Sequence, residues 1–150
     1  MYKRQIAVDA RGRVYVADRH NARVQVFAPN GPSGSNGAPL AMWQAKGVTP
    51  WAKLTPAQKS AAGANGADGS TWLHHVTALC YEPYLDVLFV IEGADIVMRS
   101  IAGEVLRRID GSELRWPHDI EATLAPDANS VVVYVAELKG KRIRQYEISF

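Results

Sequence analysis

Cysteine is almost missing from this chain. Cys80 is the only one in 150 residues, which excludes an internal disulfide and any metal motif built on paired cysteines. It lies inside an apolar strand-like run, where a buried thiol is expected. No apolar run approaches the roughly 20 residues needed to span a bilayer. An excess of one charge is lacking too. The formal net charge is +2, and Lys3 and Arg4 account for all of it, so composition gives no support to a nucleic-acid or anionic-membrane partner. The sequence contains no G-x-S-x-G elbow, no phosphate-binding G-x-x-x-x-G-K-[ST], no H-E-x-x-H and no C-x-x-C, so the usual routes to a nucleophile, a nucleotide site or a helical zinc site are closed.

What is present is one pattern written three times. The segments QIAVDARGRVYVADRHNARVQVF, HVTALCYEPYLDVLFVIEGADIVMRSIAGEVLRRI and DIEATLAPDANSVVVYVAELKGKRIRQYEIS align by their strand signal. Each begins with a short apolar strand: Ile6–Val8, Val76–Cys80 and Ile120–Leu124. A turn-prone stretch follows, then a β-branched strand (Val14–Ala17, Val87–Ile91, Val131–Ala136). A polar turn leads to a third strand (Arg23–Phe27, Ile96–Ser100, Arg142–Ile148). Valine, isoleucine and aromatics between Gly, Asp, Asn and Pro clusters are the mark of strands. Outer strands fit at Glu104–Ile109 and near Leu40–Gln44.

The step from Val76 to Ile120 is 44 residues, the length of one four-stranded propeller blade. The first interval is longer because of an insertion rich in Gly, Ala, Ser, Asn and Pro. Its GPSGSNGAP and AAGANGADGS stretches read as loop. Between them LTPAQKSAA predicts a short helix, with Thr55 as N-cap and Pro56 as first helical residue. The expected organisation is three blades near 6–45, 74–110 and 117–150, with an insertion at 46–73. Trp43 and Trp72 bracket that insertion and are expected to anchor it to the blades.

Residues 1–5 stand apart from the repeat. They can be encoded as GTG-TAT-AAG-AGA-CAG, with GTG read as the initiator, and that string matches the end of the transposon mosaic sequence used in tagmentation libraries. We expect Met1–Gln5 to be translated adapter and the natural chain to continue upstream; the alternative is a natural start that happens to read MYKRQ.

VYVADRHNARVQVF resembles an NHL repeat, and that resemblance implies an all-β fold comprising about half of a six-bladed propeller. The order of an ADR-N-RVQVF blade, an insertion, LFVIEGADIVMRSIAGEVLRRI and then RWPHDIEA is similar to the C-terminal half of the peptidyl-α-hydroxyglycine α-amidating lyases. That family releases a peptide amide and glyoxylate, using zinc held by histidines from different blades with a structural calcium nearby. The resemblance therefore implies a peptide substrate, zinc and calcium as cofactors, and a secretory or periplasmic setting. The 150 residues alone would be inactive. The other reading is a noncatalytic NHL propeller that binds a protein or another ligand.

The resemblance makes His118 a zinc ligand and Asp119 a calcium ligand; the alternatives are a strand-capping histidine and a turn carboxylate. It makes Arg19 the substrate-binding arginine, able to clamp a carboxylate by two parallel bonds; the alternative is an inter-blade ion pair. In repeat register His118 stands two residues before Ile120. The same slot is filled by Arg4 in the first blade and by His74 in the second. His74 is thus a further candidate ligand, although that family takes none from this blade. His75 should point to the other face, and His20 should lie exposed in a turn. Of the four tryptophans, Trp43, Trp51, Trp72 and Trp116, some could face the substrate, Trp116 in particular. Asp18, Asn21 and Arg23 read as scaffold turn and ion-pair residues, and Glu121 as an outward strand residue.

Overall fold

Arg23–Phe27 buries every second residue, whereas Val76–Glu82 and Val87–Glu92 are buried on both faces because a neighbouring blade packs on each. A computed structural model of the protein describes residues 5–29, 37–64 and 74–150. It folds into three antiparallel sheets. The first holds β1 (Ile6–Val8), β2 (Val14–Asp18), β3 (Arg23–Phe27) and β4 (Pro39–Gln44). The short helix α1 (Pro56–Ala64) follows. The second sheet holds β5 (Val76–Glu82), β6 (Val87–Glu92), β7 (Asp95–Ser100) and β8 (Val105–Asp110). The third holds β9 (Pro117–Leu124), β10 (Ser130–Glu137) and β11 (Arg142–Ser149). Each is a simple meander in strand order, which is the build of partial propeller blades.

All the expected strands form, several of them one or two residues longer than read from sequence. α1 begins as predicted. The Gln58 N–H donates to Thr55 Oγ1 at 3.2 Å, and the Thr55 N–H donates to Gln58 Oε1 at 2.9 Å. This reciprocal box satisfies two donors that a helix start otherwise leaves open. Trp72 and Arg4 lie outside the described residues. Trp43 does anchor its strand: its ring tilts against Tyr15 at 5.5 Å and lies over Gly103, where a Cβ would fall 2.4 Å from Nε1.

Two apolar clusters join the blades. Ala7, Tyr15, Ala17, Val24 and Val26 of the first blade meet Val76, Leu79, Leu88 and Val90 of the second. The other face of the second blade, with Cys80, Phe89, Ile91 and Ile96, meets Ile120, Val131, Val133, Val135 and Ile148 of the third. Cys80 is buried as expected, and burial pushes its thiol well above the usual range.

The meander places equivalent ends together. The Ala17 N–H donates to the Gln5 carbonyl, the Gly93 N–H to that of His75 and the Leu138 N–H to that of Trp116, at 2.9, 2.9 and 3.0 Å. In every blade the start of the first strand thus sits beside the turn between the second and third. All the sequence-predicted site residues fall at these ends.

Candidate functional site at the strand-start ends

Each blade fixes this end with a buried acid–arginine pair, facing directly across the strands in the first and third blades and reached by Arg99 from the far end of its strand in the second. An acidic residue closes the second strand and is clamped by an arginine of the third. Arg23 Nε donates to Asp18 Oδ2 at 2.7 Å, Arg99 Nε to Glu92 Oε1 at 2.5 Å, and Arg142 Nε to Glu137 Oε2. All three carboxylates are buried, so each charge requires a partner. Glu137 also accepts from the Arg115 N–H. Burial pushes its carboxyl upward, but the bonds from Arg142 and Arg115 outweigh this and hold it below the usual carboxylate range. Sequence reading found only the Asp18–Arg23 copy.

In the first blade this clamp shapes the turn that carries Arg19. Asp18 accepts from Asn21 Nδ2 at 3.0 Å as well as from Arg23. Arg19–Asn21 form a 3-10 turn, closed by Ala22 in the left-handed region at φ 48°. Asp18, Asn21 and Arg23 are the scaffold residues expected.

Arg19 does not stand among the sequence-predicted metal ligands of the third blade; its company is aromatic. His75 Nδ1 lies 3.1 Å from the Arg19 carbonyl. A carbonyl only accepts, so Nδ1 carries the proton and Nε2 is left as an acceptor. The His75 ring meets that of His20 edge-on at 5.1 Å and tilts against Trp51 at 5.9 Å. Burial, and then the Arg19 charge, push the His75 imidazole down to about 4, so it is neutral at physiological pH. His20 is half-buried here rather than exposed as expected, because the insertion folds back beside it. His75, the weaker candidate by strand alternation, is the most deeply placed histidine of this group.

His74 belongs to the same end. Its Nδ1 donates to the Thr49 carbonyl at 3.3 Å, and its ring lies 6.4 Å from Trp51. Trp51 sits in a second 3-10 turn, Trp51–Lys53, within the insertion. That turn touches the Arg19 turn. Nothing in the strand pattern singled out Trp51, since its contacts come from the chain folding back across about 25 residues of sequence.

The third-blade candidates form a separate set. His118 and Asp119 are exposed at the start of β9. Gln5 Nε2 donates to the His118 carbonyl at 3.2 Å and to Asp119 Oδ1, and its Oε1 accepts from the Leu79 N–H at 2.9 Å. One glutamine therefore bridges all three first strands. These line an open groove of about 330 Å³, with Gln5, Ile6, Leu79, Asp119 and Glu121 on its walls. Glu121 is exposed but lines this groove between the first strands, where it meets the adjacent blades and does not face outward. Trp116 is not among the residues that line this groove. It rests against the apolar cluster between the second and third blades, with Lys139 Nζ 5.6 Å from its ring centre.

Among the described residues no group of three or more His, Cys, Asp or Glu is placed to hold a metal ion. His118 offers one imidazole, and Asp119 Oδ1 already accepts from Gln5 and from the Ile120 N–H. The residues present therefore do not make up a zinc or calcium site by themselves. No helix among the described residues is long and apolar enough to cross a membrane.

Comparison with known proteins agrees with this architecture. The NHL repeat family matches residues 4–27. No curated protein matches the sequence. Among solved structures, the chain is similar to a catalytically inactive variant of virginiamycin B lyase from Staphylococcus aureus with quinupristin. The TM-score is 0.54 at 15% identity, over 96% of this chain and 40% of that one. A selenomethionine-substituted virginiamycin B lyase from the same organism gives 0.48 at 15% identity, over 97% and 41%. The chain thus spans about two fifths of the length of these proteins. The first of the two supports the propeller fold.

Proposed function

We propose that the chain is part of an NHL-type propeller lyase that takes a peptide ending in α-hydroxyglycine and releases the peptide amide and glyoxylate. The observation that carries this reading is the placing of Arg19. It stands on a turn braced by the Asp18 clamp, at the blade ends, with its carbonyl held by a neutral imidazole. A guanidinium carried on such a turn would hold the substrate's terminal carboxylate by two parallel bonds. In the reaction the hydroxyl of the terminal unit loses its proton, the C–N bond breaks, and the amide nitrogen gains a proton. Arg19 would keep the carboxylate of the departing glyoxylate in place while this happens. In this reading Arg19 is the clamp; no metal-holding group is found among the described residues, and no step is assigned to one.

The test is glyoxylate release from an α-hydroxyglycine peptide by a complete propeller containing this segment. We expect release, and a loss of about 100-fold in kcat/KM for Arg19→Ala. No release, or release unaffected by the substitution, would end this reading.

A second reading is a noncatalytic ligand-binding propeller. It is favoured by Asp119, whose Oδ1 is engaged by the Ile120 N–H. It predicts peptide binding without turnover.

A further inference from the structure

The outer edge of the third blade differs from the other two. In the first two blades a fourth strand lies beside the third: β4 pairs with β3, and β8 with β7. Among the described residues β11 pairs with β10 alone. That pairing fixes which backbone groups are left over. The Phe150 N–H donates to the Asn129 carbonyl at 3.2 Å. Direction alternates along an antiparallel ladder, so Arg142, Arg144, Tyr146 and Ile148 turn their backbone groups to β10. Ile143, Gln145 and Glu147 turn theirs outward. All three residues are exposed, Ile143 at 71%.

An open edge is a template for another strand, and proteins blunt it with proline, bulges or charge. β4 begins with Pro39, and its pairing shifts register between Val26 and Phe27. The pairing of β8 shifts between Met98 and Arg99. β11 has neither device. It runs for 8 residues without proline, and its ladder with β10 keeps one register throughout. Its arginines are engaged by Glu137 and Glu113, and Glu147 accepts from Ser130 Oγ at 2.8 Å. Every charge on the strand is thus held within the molecule.

The strand also complements itself. Two copies can pair antiparallel about a two-fold axis through Gln145. Arg144 then stands opposite Tyr146, Ile143 opposite Glu147 and Arg142 opposite Ile148. No like charges face each other. An axis through Ile143 or Arg144 would set arginines together, and one through Glu147 would set two carboxylates together. An axis through Tyr146 would call on the Ser149 carbonyl, which already accepts from Arg107 at 3.3 Å.

We propose that β11 is a docking edge for a second copy of this chain, joined strand to strand about Gln145 so that the two third blades form one continuous sheet. Ile143, Gln145 and Glu147 of each copy close about six backbone hydrogen bonds. The pairing occupies both edges, so assembly stops at two chains. It does not depend on the chemistry proposed for the Arg19 end.

The experiment follows the 150-residue chain by sedimentation velocity from about 10 μM to about 1 mM, the range suited to a small interface. Wild type is expected to pass from monomer to dimer. Gln145→Pro removes one outward N–H and leaves the ladder to β10 intact. It should weaken dimerisation about tenfold or more, and near-ultraviolet circular dichroism checks that the fold is kept. Gln145→Ala keeps the backbone edge and should dimerise like wild type. Under a mild oxidant, Gln145→Cys should give a disulfide-linked dimer, because the axis sets the two Cα atoms about 5.5 Å apart, within reach of such a bond. Glu147→Cys should not cross-link, since it faces Ile143 of the second copy. A chain that stays monomeric overturns the proposal, as does assembly beyond two chains. A dimer that survives Gln145→Pro, or is lost equally in Gln145→Ala, overturns backbone pairing at this edge. Equal cross-linking at positions 145 and 147 overturns the register.

Discussion

The two blade junctions are built differently. Between the second and third blades the contact is almost dry. Phe89, Ile91 and Ile96 meet Val131, Val133, Val135 and Ile148, with Leu114 closing the gap, and a polar crossing at the rim runs from Arg107 to the Ser149 carbonyl. Between the first and second blades the apolar centre is ringed by polar crossings. Gln5 reaches the Leu79 N–H, His75 reaches the Arg19 carbonyl, Arg99 reaches the Gln44 carbonyl and Arg11 pairs with Asp86. Apolar burial is non-directional and supplies stability. Hydrogen bonds contribute little net energy but fix relative position. The dry junction therefore holds the molecule together, and the ringed junction sets the geometry of the Arg19 end.

This division can be broken by mutation. The largest loss should come from Phe89→Ala, since Phe89 is fully buried in the dry junction. We expect about 4 kcal/mol of destabilisation, from lost transfer energy plus the cavity left behind; urea unfolding measures it. Next comes Arg99→Met. Arg99 is 5% exposed and its Nε holds Glu92, whose side chain is 1% exposed. Removing it leaves a buried carboxylate with only Arg108, 3.7 Å away, for a loss of about 3 kcal/mol. If the Arg99 variant were the less stable of the two, the polar network and not the dry contact would be the main support.

The strands were readable in the sequence because β-branched and aromatic residues cluster between turn residues. Ile96, Val131 and Val133 needed no tertiary knowledge. The acidic clamps were only partly readable. Asp18 and Arg23 flank an obvious turn, but Glu92 and Glu137 stand one residue past the last apolar strand position, where a pattern of alternation stops counting. The meeting of the His20, His75 and Trp51 rings was not readable at all. Its three rings come from a turn, a strand start and an insertion, and only the folding back of the insertion brings them together. His75 shows the limit most clearly: alternation sets it on the face away from His74, yet the rings of both lie within 6.4 Å of Trp51.

A smaller effect is expected at Asp9, inside the first blade. Its carboxylate accepts from the Arg11 and Arg13 N–H groups, from Arg13 Nε and from the Tyr15 hydroxyl, all within 2.7–2.9 Å. Burial pushes the carboxyl upward, yet these bonds outweigh it and hold the group below the usual carboxylate range. A depressed folded value stabilises the fold above the unfolded value of about 3.9, and that stabilisation is lost as pH falls through the folded value. Asp9→Asn should therefore cost about 2 kcal/mol at pH 7. The gap between wild type and variant should begin to close below about pH 4 and continue to close as the solution becomes more acid. Unfolding curves at a series of pH values would show this; a gap that stays constant would mean that Asp9 acts by shape and not by charge.

The smallest effect sharpens the comparison most. Arg11 Nη1 donates to both Asp86 oxygens at 2.9 Å across the ringed junction. The geometry is as good as that of the buried clamps. The surroundings are not: the two side chains are 55% and 35% exposed, so water competes for the same groups and salt screens the pair. Arg11→Ala should leave the unfolding midpoint unchanged within error. A shift as large as that of Asp9→Asn would show that the polar ring stabilises as well as positions. The division between a stabilising junction and a positioning one would then have to be given up.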